Sequence, residues 1–135
     1  MKKVAEFPDC ESSDPVANMR VYQLAYKLRP ACLEDAEIIR ENAITERIAG
    51  QLYTAVGSIP ANLVEGYSRS SGRDRARIFE YSLGSARESI EWYRSSEHLL
   101  EPAIFHDRID ILNEIARILI AVIPRERVRT IRPSK

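Results

Sequence analysis

The chain has 135 residues, of which 44% are hydrophobic and 30% are charged. This length fits one domain with a core of its own, and this apolar content excludes a chain that is disordered throughout. The two cysteines, Cys10 and Cys32, form no C-x-x-C pair, which favours a reduced, cytoplasmic protein. No window approaches the ~20 apolar residues of a membrane span, and no signal-peptide pattern occurs, so we expect no membrane contact.

The formal charge of zero hides a segmental pattern. A connector, residues 67–77, has a charge of +3, and a C-terminal tail, residues 124–135, has a charge of +4, whereas the segments before and between them are acidic. The tentative nucleic-acid-binding residues are the arginines of these two segments: Arg69, Arg73, Arg75, Arg77, Arg125, Arg127 and Arg129. Such clusters can meet RNA or DNA phosphates, although solvated helix starts and tails often have the same composition.

The first segment with helical periodicity follows a polar stretch. Residues 1–15 contain prolines and no periodic apolar pattern, which predicts a flexible leader. From about Val16 to Ile39 apolar residues recur every three or four positions, which predicts a helix. Pro30 lies inside this stripe and is expected to kink or break the helix, because an interior proline loses a hydrogen bond and clashes with the preceding turn.

Two further helices are predicted around a polar loop. One runs from about Ile44 to Tyr67 and is bent at Pro60. After the loop, Ser71 and Asp74 have the spacing of a capping box, which predicts the start of a helix near Gly72. This helix should end around Leu100. Its expected buried face comprises Ile78, Phe79, Ser82, Ala86, Ile90 and Tyr93.

The fourth helix completes the predicted architecture. Pro102 fits its first turn, an apolar stripe that includes Ile115 follows, and Pro124 is expected to terminate it. No run of strand type competes with these assignments. Four amphipathic helices with short connections predict an all-α, antiparallel up-down-up-down four-helix bundle over residues 16–123.

Patterns that would indicate catalysis or metal binding are sparse. The cysteines and histidines lack zinc-ligand spacing, and the Glu-x-x-His motif of di-iron bundles does not occur. We therefore predict no catalytic residues, metal or cofactor. The alternative is a small helical nuclease or toxin-like enzyme, in which Arg94 and His98, four positions apart, would share a helix face.

One stretch carries a family resemblance. Residues 58–66 read SIPANLVEG and are followed by Arg69, which resembles the S-I-P-A-N-I-A-E-G signature of the four-helix bundle proteins encoded in intervening sequences of bacterial 23S rRNA genes. Residues 84–88 resemble the second signature of that family, G-S-x-x-E, and the resemblance spans about residues 20–123. The signature residues are Ser58, Pro60, Asn62, Glu65, Gly66, Gly84, Ser85 and Glu88.

The resemblance implies an assembly rather than a reaction. Members of this family form ring-shaped homopentamers without established enzymatic activity, and a related bundle engages nucleic acid and a reverse transcriptase in diversity-generating retroelements. It thus implies a homo-oligomeric nucleic-acid or protein interaction module of unestablished role. Apolar residues outside the main stripes independently favour an oligomer: Tyr53, Val64, Leu83 and Trp92.

The residues of the two signatures also suggest a local structure. Pro60 bends its helix and Gly84 lets another backbone come close, so we expect both motifs to mark one tight helix–helix contact. Glu65 and Arg69 are four positions apart in the order that favours an ion pair.

Overall fold

The computed structural model describes residues 14–131, so nearly all of the predicted leader and the last four residues of the tail lie outside the described residues. The helices are α1 (Arg20–Ile39), α2 (Glu46–Tyr67), α3 (Gly72–Ser95) and α4 (Pro102–Arg127), and short 3-10 turns precede α1 and α4. No strand occurs between residues 14 and 131. The predicted all-α four-helix bundle is confirmed, with α2 and α4 each packed against α1 and α3.

The prediction for Pro102 is confirmed, because this residue lies in the first turn of α4, but a break at Pro30 and a helix end at Pro124 are not found. The helix α1 continues through Pro30, so the alternative of a break there is wrong. The helix α4 continues through Pro124 to Arg127, so the prediction that Pro124 terminates it is also wrong. An interior proline costs about 3 kcal/mol, which packing on both sides can offset. Beyond Pro124 that packing comes from the start of α3, as described below.

The buried face of α3 is the predicted one, whereas Ile44, expected at the start of the second helix, lies before α2 and is 90% exposed. Every residue of the face predicted for α3 is buried, including Ser82. The hydroxyl of Ser82 donates a hydrogen bond to the carbonyl of Ile59 on α2 at 2.9 Å, so this polar group is satisfied in the core. Within residues 14–131, no helix combines the length and the apolar character that crossing a membrane requires.

The boundaries of α3 match the prediction at one end only. The Ser71 hydroxyl accepts a hydrogen bond from the Asp74 amide at 3.1 Å, which confirms the predicted N-cap. At the other end α3 stops at Ser95, and the 3-10 turn Glu97–Leu99 occupies residues that the prediction placed in the helix. The connection between α2 and α3 is short, residues 68–71, and the two helices pack against each other.

The burial of α4 gives a test of this packing. Ile115 is completely buried, so Ile115→Ala should lower the free energy of unfolding by about 2–5 kcal/mol. Ile120 on the same helix is 50% exposed, so Ile120→Ala serves as the matched control and should change it by about 0.5 kcal/mol or less. Urea denaturation measures both. Equal losses for the two variants would contradict this orientation of α4.

Candidate functional site

The connector and the end of α4 lie against each other. A Cβ on Gly72 would overlap the carbonyl oxygen of Glu126 and would lie 2.5 Å from the carbonyl oxygen of Arg129. Glycine at the start of α3 therefore permits the close approach of the last turn of α4. The two basic segments of the sequence form one surface, which we call the basic end (residues 67–77 and 125–129).

Arg75 is buried beneath this surface and contacts both of its segments. It is only 7% exposed, and its Nη2 donates a hydrogen bond to the carbonyl of Tyr67 at 2.9 Å. Its guanidinium carbon lies 4.7 Å from the centre of the Tyr67 ring, and its Nη1 lies 3.6 Å from Oε2 of Glu126. Arg75 thus links the end of α2, the start of α3 and the end of α4, rather than facing the surface as the sequence prediction requires.

The other six arginines of the basic end are exposed. Four make ion pairs at the surface: Arg69 with Glu65 at 2.7 Å, Arg77 with Asp74 at 3.9 Å, Arg129 with Glu126 at 3.1 Å, and Arg127 with Glu80. The pair of Glu65 and Arg69 confirms the predicted one. Exposed pairs contribute about 0–1 kcal/mol, so a phosphate can replace the carboxylate at little cost. Arg73 and Arg125 make no ion pair within residues 14–131.

The close contact marked by the first signature is at Gly66, not at Gly84. A Cβ on Gly66 would lie 2.7 Å from the Phe79 ring, so glycine lets α2 and α3 approach there. Gly84 is exposed, and a Cβ added to it would have open space among the described residues. Because Ser82 and Ala86 are buried two positions away on either side, Gly84 faces away from the core. The expected backbone contact at Gly84 is therefore absent from the described chain.

Four of the polar signature residues make hydrogen bonds within their own helices. The side-chain amide of Asn62 donates to the carbonyl of Ser58 at 2.9 Å, and Glu88 accepts a hydrogen bond from Nε1 of Trp92 at 3.1 Å. The Ser58 hydroxyl donates to the carbonyl of Thr54, and the Ser85 carbonyl accepts from the Ser89 hydroxyl. None of these four contacts reaches another helix. Pro60 is buried in the core.

A buried polar cluster that the sequence analysis missed joins three helices. The Tyr93 hydroxyl of α3 donates to Oδ2 of Asp35 on α1 at 2.6 Å. Arg108 on α4 donates to both oxygens of the same carboxylate, from Nε at 2.7 Å and from Nη2 at 3.3 Å. A sequence signal existed, because Asp35 follows Cys32 by three positions, and Arg108 follows Phe105 by three, in apolar stripes.

Burial keeps the two groups beside this ion pair, the Cys32 thiol and the Tyr93 phenol, protonated. Burial raises the pKa of the Cys32 thiol to about 12, and burial likewise raises the pKa of Tyr93 well above its ordinary value. Burial lowers the pKa of Arg108, but the hydrogen bonds and the charge of Asp35 outweigh this effect and raise it. The cluster is therefore one ion pair with a neutral phenol and a neutral thiol beside it, which is a structural arrangement rather than a reactive one.

The predicted nuclease pair is only partly supported by the structure. His98 lies in the 3-10 turn after α3, so it does not share a helix face with Arg94. Both residues nevertheless line an open depression of about 440 Å³, together with Glu97 and His106. The guanidinium of Arg94 is paired with Glu91 at 3.0 Å. Between residues 14 and 131, no group of three His, Cys, Asp or Glu side chains could hold a metal ion.

Comparison with known proteins identifies the family. The family model described as "23S rRNA-intervening sequence protein" matches residues 17–121. The chain belongs to this family. The match in this 23S rRNA-intervening sequence protein includes both signatures and the connector but ends before Arg125, so the basic end extends beyond the matched region.

A solved structure agrees with the fold of this family member. It is a protein of unknown function from the S23 ribosomal protein family of Bacteroides thetaiotaomicron VPI-5482, with a TM-score of 0.70 and 17% sequence identity. The similarity covers 76% of this chain and 97% of that chain, and it supports the fold alone. No curated protein matches the sequence.

The buried cluster gives a second prediction. Asp35→Ala leaves the charge of Arg108 buried without its main partner, so the free energy of unfolding should fall by about 3–5 kcal/mol. Glu114→Ala is the matched control, because it removes the carboxylate that pairs with Arg20 at the surface at 3.0 Å, and it should cost about 1 kcal/mol or less. Denaturant titration measures both. A loss for Asp35→Ala no larger than for the control would show that the cluster is not the link between helices described here.

Proposed function

We propose that this protein is a non-enzymatic, homo-oligomeric bundle that binds RNA or DNA phosphates through its basic end. The observation that carries the proposal is the junction at Gly72, because it joins two separate basic segments into one surface. Six exposed arginines lie there, and Arg73 and Arg125 have no carboxylate partner within residues 14–131. We place the protein in the cytoplasm, in keeping with the free, buried thiol of Cys32.

The opposite end of the bundle has the opposite charge. The contact of Asp35 with Tyr93 and Arg108 brings the second half of α1, the end of α3 and the start of α4 together there. The carboxylates of these segments, and of the loop and first turn of α2 that follow α1, are Glu34, Asp35, Glu37, Glu41, Glu46, Glu88, Glu91, Glu97, Glu101, Asp107 and Asp110, against Arg40, Arg47, Arg87, Arg94 and Arg108. A polyanion therefore has one favourable end to approach, although the chain is neutral overall.

The outer face of α2 supports the oligomeric part of the proposal. Tyr53 is 42% exposed and Val64 is 40% exposed. They are eleven positions apart, so they lie on one face of α2, three turns from each other. Leu83 and Trp92, expected outside the core, are instead partly buried against it. We propose that a second copy covers Tyr53 and Val64, and that the assembly is the pentamer implied by the family resemblance.

The depression lined by Arg94, His98 and His106 favours a second candidate, a small nuclease. Two imidazoles and a guanidinium could supply a general acid, a general base and a phosphate ligand. RNA incubated with the purified protein would then be cleaved, and His98→Ala would abolish the cleavage. Intact RNA after prolonged incubation is the result expected from the leading proposal.

Nucleic-acid binding can be measured by fluorescence anisotropy with a short RNA or DNA duplex. Because the contacts are to phosphates, added salt should weaken binding. Two such contacts predict about a tenfold loss of affinity between about 50 and 200 mM salt. Removing the two unpaired guanidiniums with Arg73→Ala and Arg125→Ala together should lower affinity by a similar factor. Arg47→Ala, which removes an exposed arginine at the acidic end, is the matched control and should have little effect. If Arg47→Ala lowers affinity as much as Arg73→Ala and Arg125→Ala together, binding at the basic end is contradicted.

The oligomer can be measured by native mass spectrometry. The chain has a mass of 15.4 kDa, and we expect a species of five times that mass at micromolar concentration. Tyr53→Glu together with Val64→Glu should dissociate it, because charges would be buried in the interface. Ile120→Glu, at an exposed apolar position on α4, is the matched control and should leave the mass unchanged. A monomer in the unaltered protein would refute the oligomer.

A further inference from the structure

The last turn of α4 is attached to the bundle by few contacts. We call residues 124–129 the latch. Ile123 is the last buried apolar residue of α4, and every residue of the latch is exposed or only partly buried. Pro124 has no N–H to donate, so the carbonyl of Ile120 lacks its usual partner in the helix. A segment with few buried apolar contacts opens locally at a lower free energy than the core.

The side-chain contacts that hold the latch are polar. Glu126 is paired with Arg75 at 3.6 Å, and Arg127 is paired with Glu80 at the surface. The inner pair is incomplete, because Nε of Arg75 and Oε2 of Glu126 are buried and neither has a hydrogen-bond partner among residues 14–131. A buried polar group without a partner raises the free energy of the state in which it occurs. The closed position of the latch is therefore less stable than a fully hydrogen-bonded pair would make it.

Arg75 also has contacts that do not involve the latch. Its Nη2 donates to the carbonyl of Tyr67 at 2.9 Å, and its guanidinium carbon lies 4.7 Å from the centre of the Tyr67 ring. Because Tyr67 is the last residue of α2, these contacts remain when the latch moves away. Nε is already unpaired and Nη1 loses the pair with Glu126, so both can donate to the oxygens of a phosphate.

We infer that the latch is autoinhibitory: Glu126 covers Arg75 in place of a nucleic-acid phosphate, and displacement of the latch adds Arg75 to the arginines that bind phosphate. The inference deepens the proposed function and rests on it, because it names a seventh arginine and the contact that regulates it. When a ligand needs the open form, its apparent affinity is reduced by the fraction of the protein that is open. Changes that open the latch should therefore raise the affinity for nucleic acid.

The first variant opens the latch without a change of charge. Gly72→Ala places a Cβ against the carbonyl oxygens of Glu126 and Arg129, so the latch must move. Gly50→Ala is the matched control, because a Cβ there has open space among the described residues. Hydrogen exchange should become faster at residues 125–129 in Gly72→Ala and stay unchanged at residues 112–120. Affinity for a short DNA duplex, measured by anisotropy at about 50 mM salt, should rise about threefold or more.

The second variant removes the carboxylate that covers Arg75. Glu126→Gln should also raise affinity about threefold or more. Glu80→Gln is its matched control, because it removes the same charge from the surface pair with Arg127, and it should raise affinity less than about twofold. Adding Arg75→Gln to either opened variant should return the affinity to that of the unaltered protein or lower. Thermal melting and native mass confirm that each variant is folded and assembled.

The outcomes separate this inference from the proposed function. If Gly72→Ala speeds exchange at residues 125–129 but binds no tighter than Gly50→Ala, the latch does not inhibit binding. Unchanged exchange in Gly72→Ala would show that the latch does not open, which also overturns the inference. In both cases the proposed function stands if Arg73→Ala with Arg125→Ala weakens binding. If neither the unaltered protein nor the opened variants bind the duplex, the proposed function fails and the inference with it. If Arg75→Gln unfolds the protein, the comparison of Gly72→Ala with Gly50→Ala still decides.

Discussion

The ion pair between Asp35 and Arg108 fixes how three of the four helices meet. Both side chains are almost completely buried, and removing two charges from water is costly unless the geometry compensates. Here Arg108 donates two hydrogen bonds to Asp35, and Tyr93 adds a third. A slip of α4 by one turn would move Arg108 about 5.4 Å along its axis and separate the charges. The pair therefore selects one register among the several that apolar stripes alone would allow.

The two ends of the bundle depend on different kinds of contact. At the acidic end, a charged cluster in the core holds the helices together. At the basic end, the backbone of α4 approaches Gly72 directly, and the buried guanidinium of Arg75 joins Tyr67 to Glu126. Arg75 neutralises Glu126 on the inside, while Arg129 pairs with the same carboxylate on the outside. The contacts of Gly72 and Arg75 therefore fix the backbone that carries the exposed arginines of this end.

The spacing of apolar residues predicted the helices well, because the burial of one face of each helix produces that spacing. The face of α3 from Ile78 to Tyr93 is buried as predicted. Local rules failed where distant packing decided the outcome: Pro124 does not end α4, because the end of the helix that follows it packs on the start of α3. Charge counting also could not separate Arg73 from Arg75. The two are neighbours in one cluster, yet one is exposed and the other is buried against Tyr67.

A chain with no net charge can still attract a polyanion if its charges are far enough apart. The 24 residues of α3 span about 36 Å, at about 1.5 Å per residue, from the basic end to the acidic end. The Debye length is about 8 Å at physiological ionic strength, so exposed carboxylates near the end of α3 act only weakly on a phosphate at its start. The acidic segments therefore do not cancel the basic end. They instead disfavour binding at the opposite end, so charge separation orients a polyanion on the bundle.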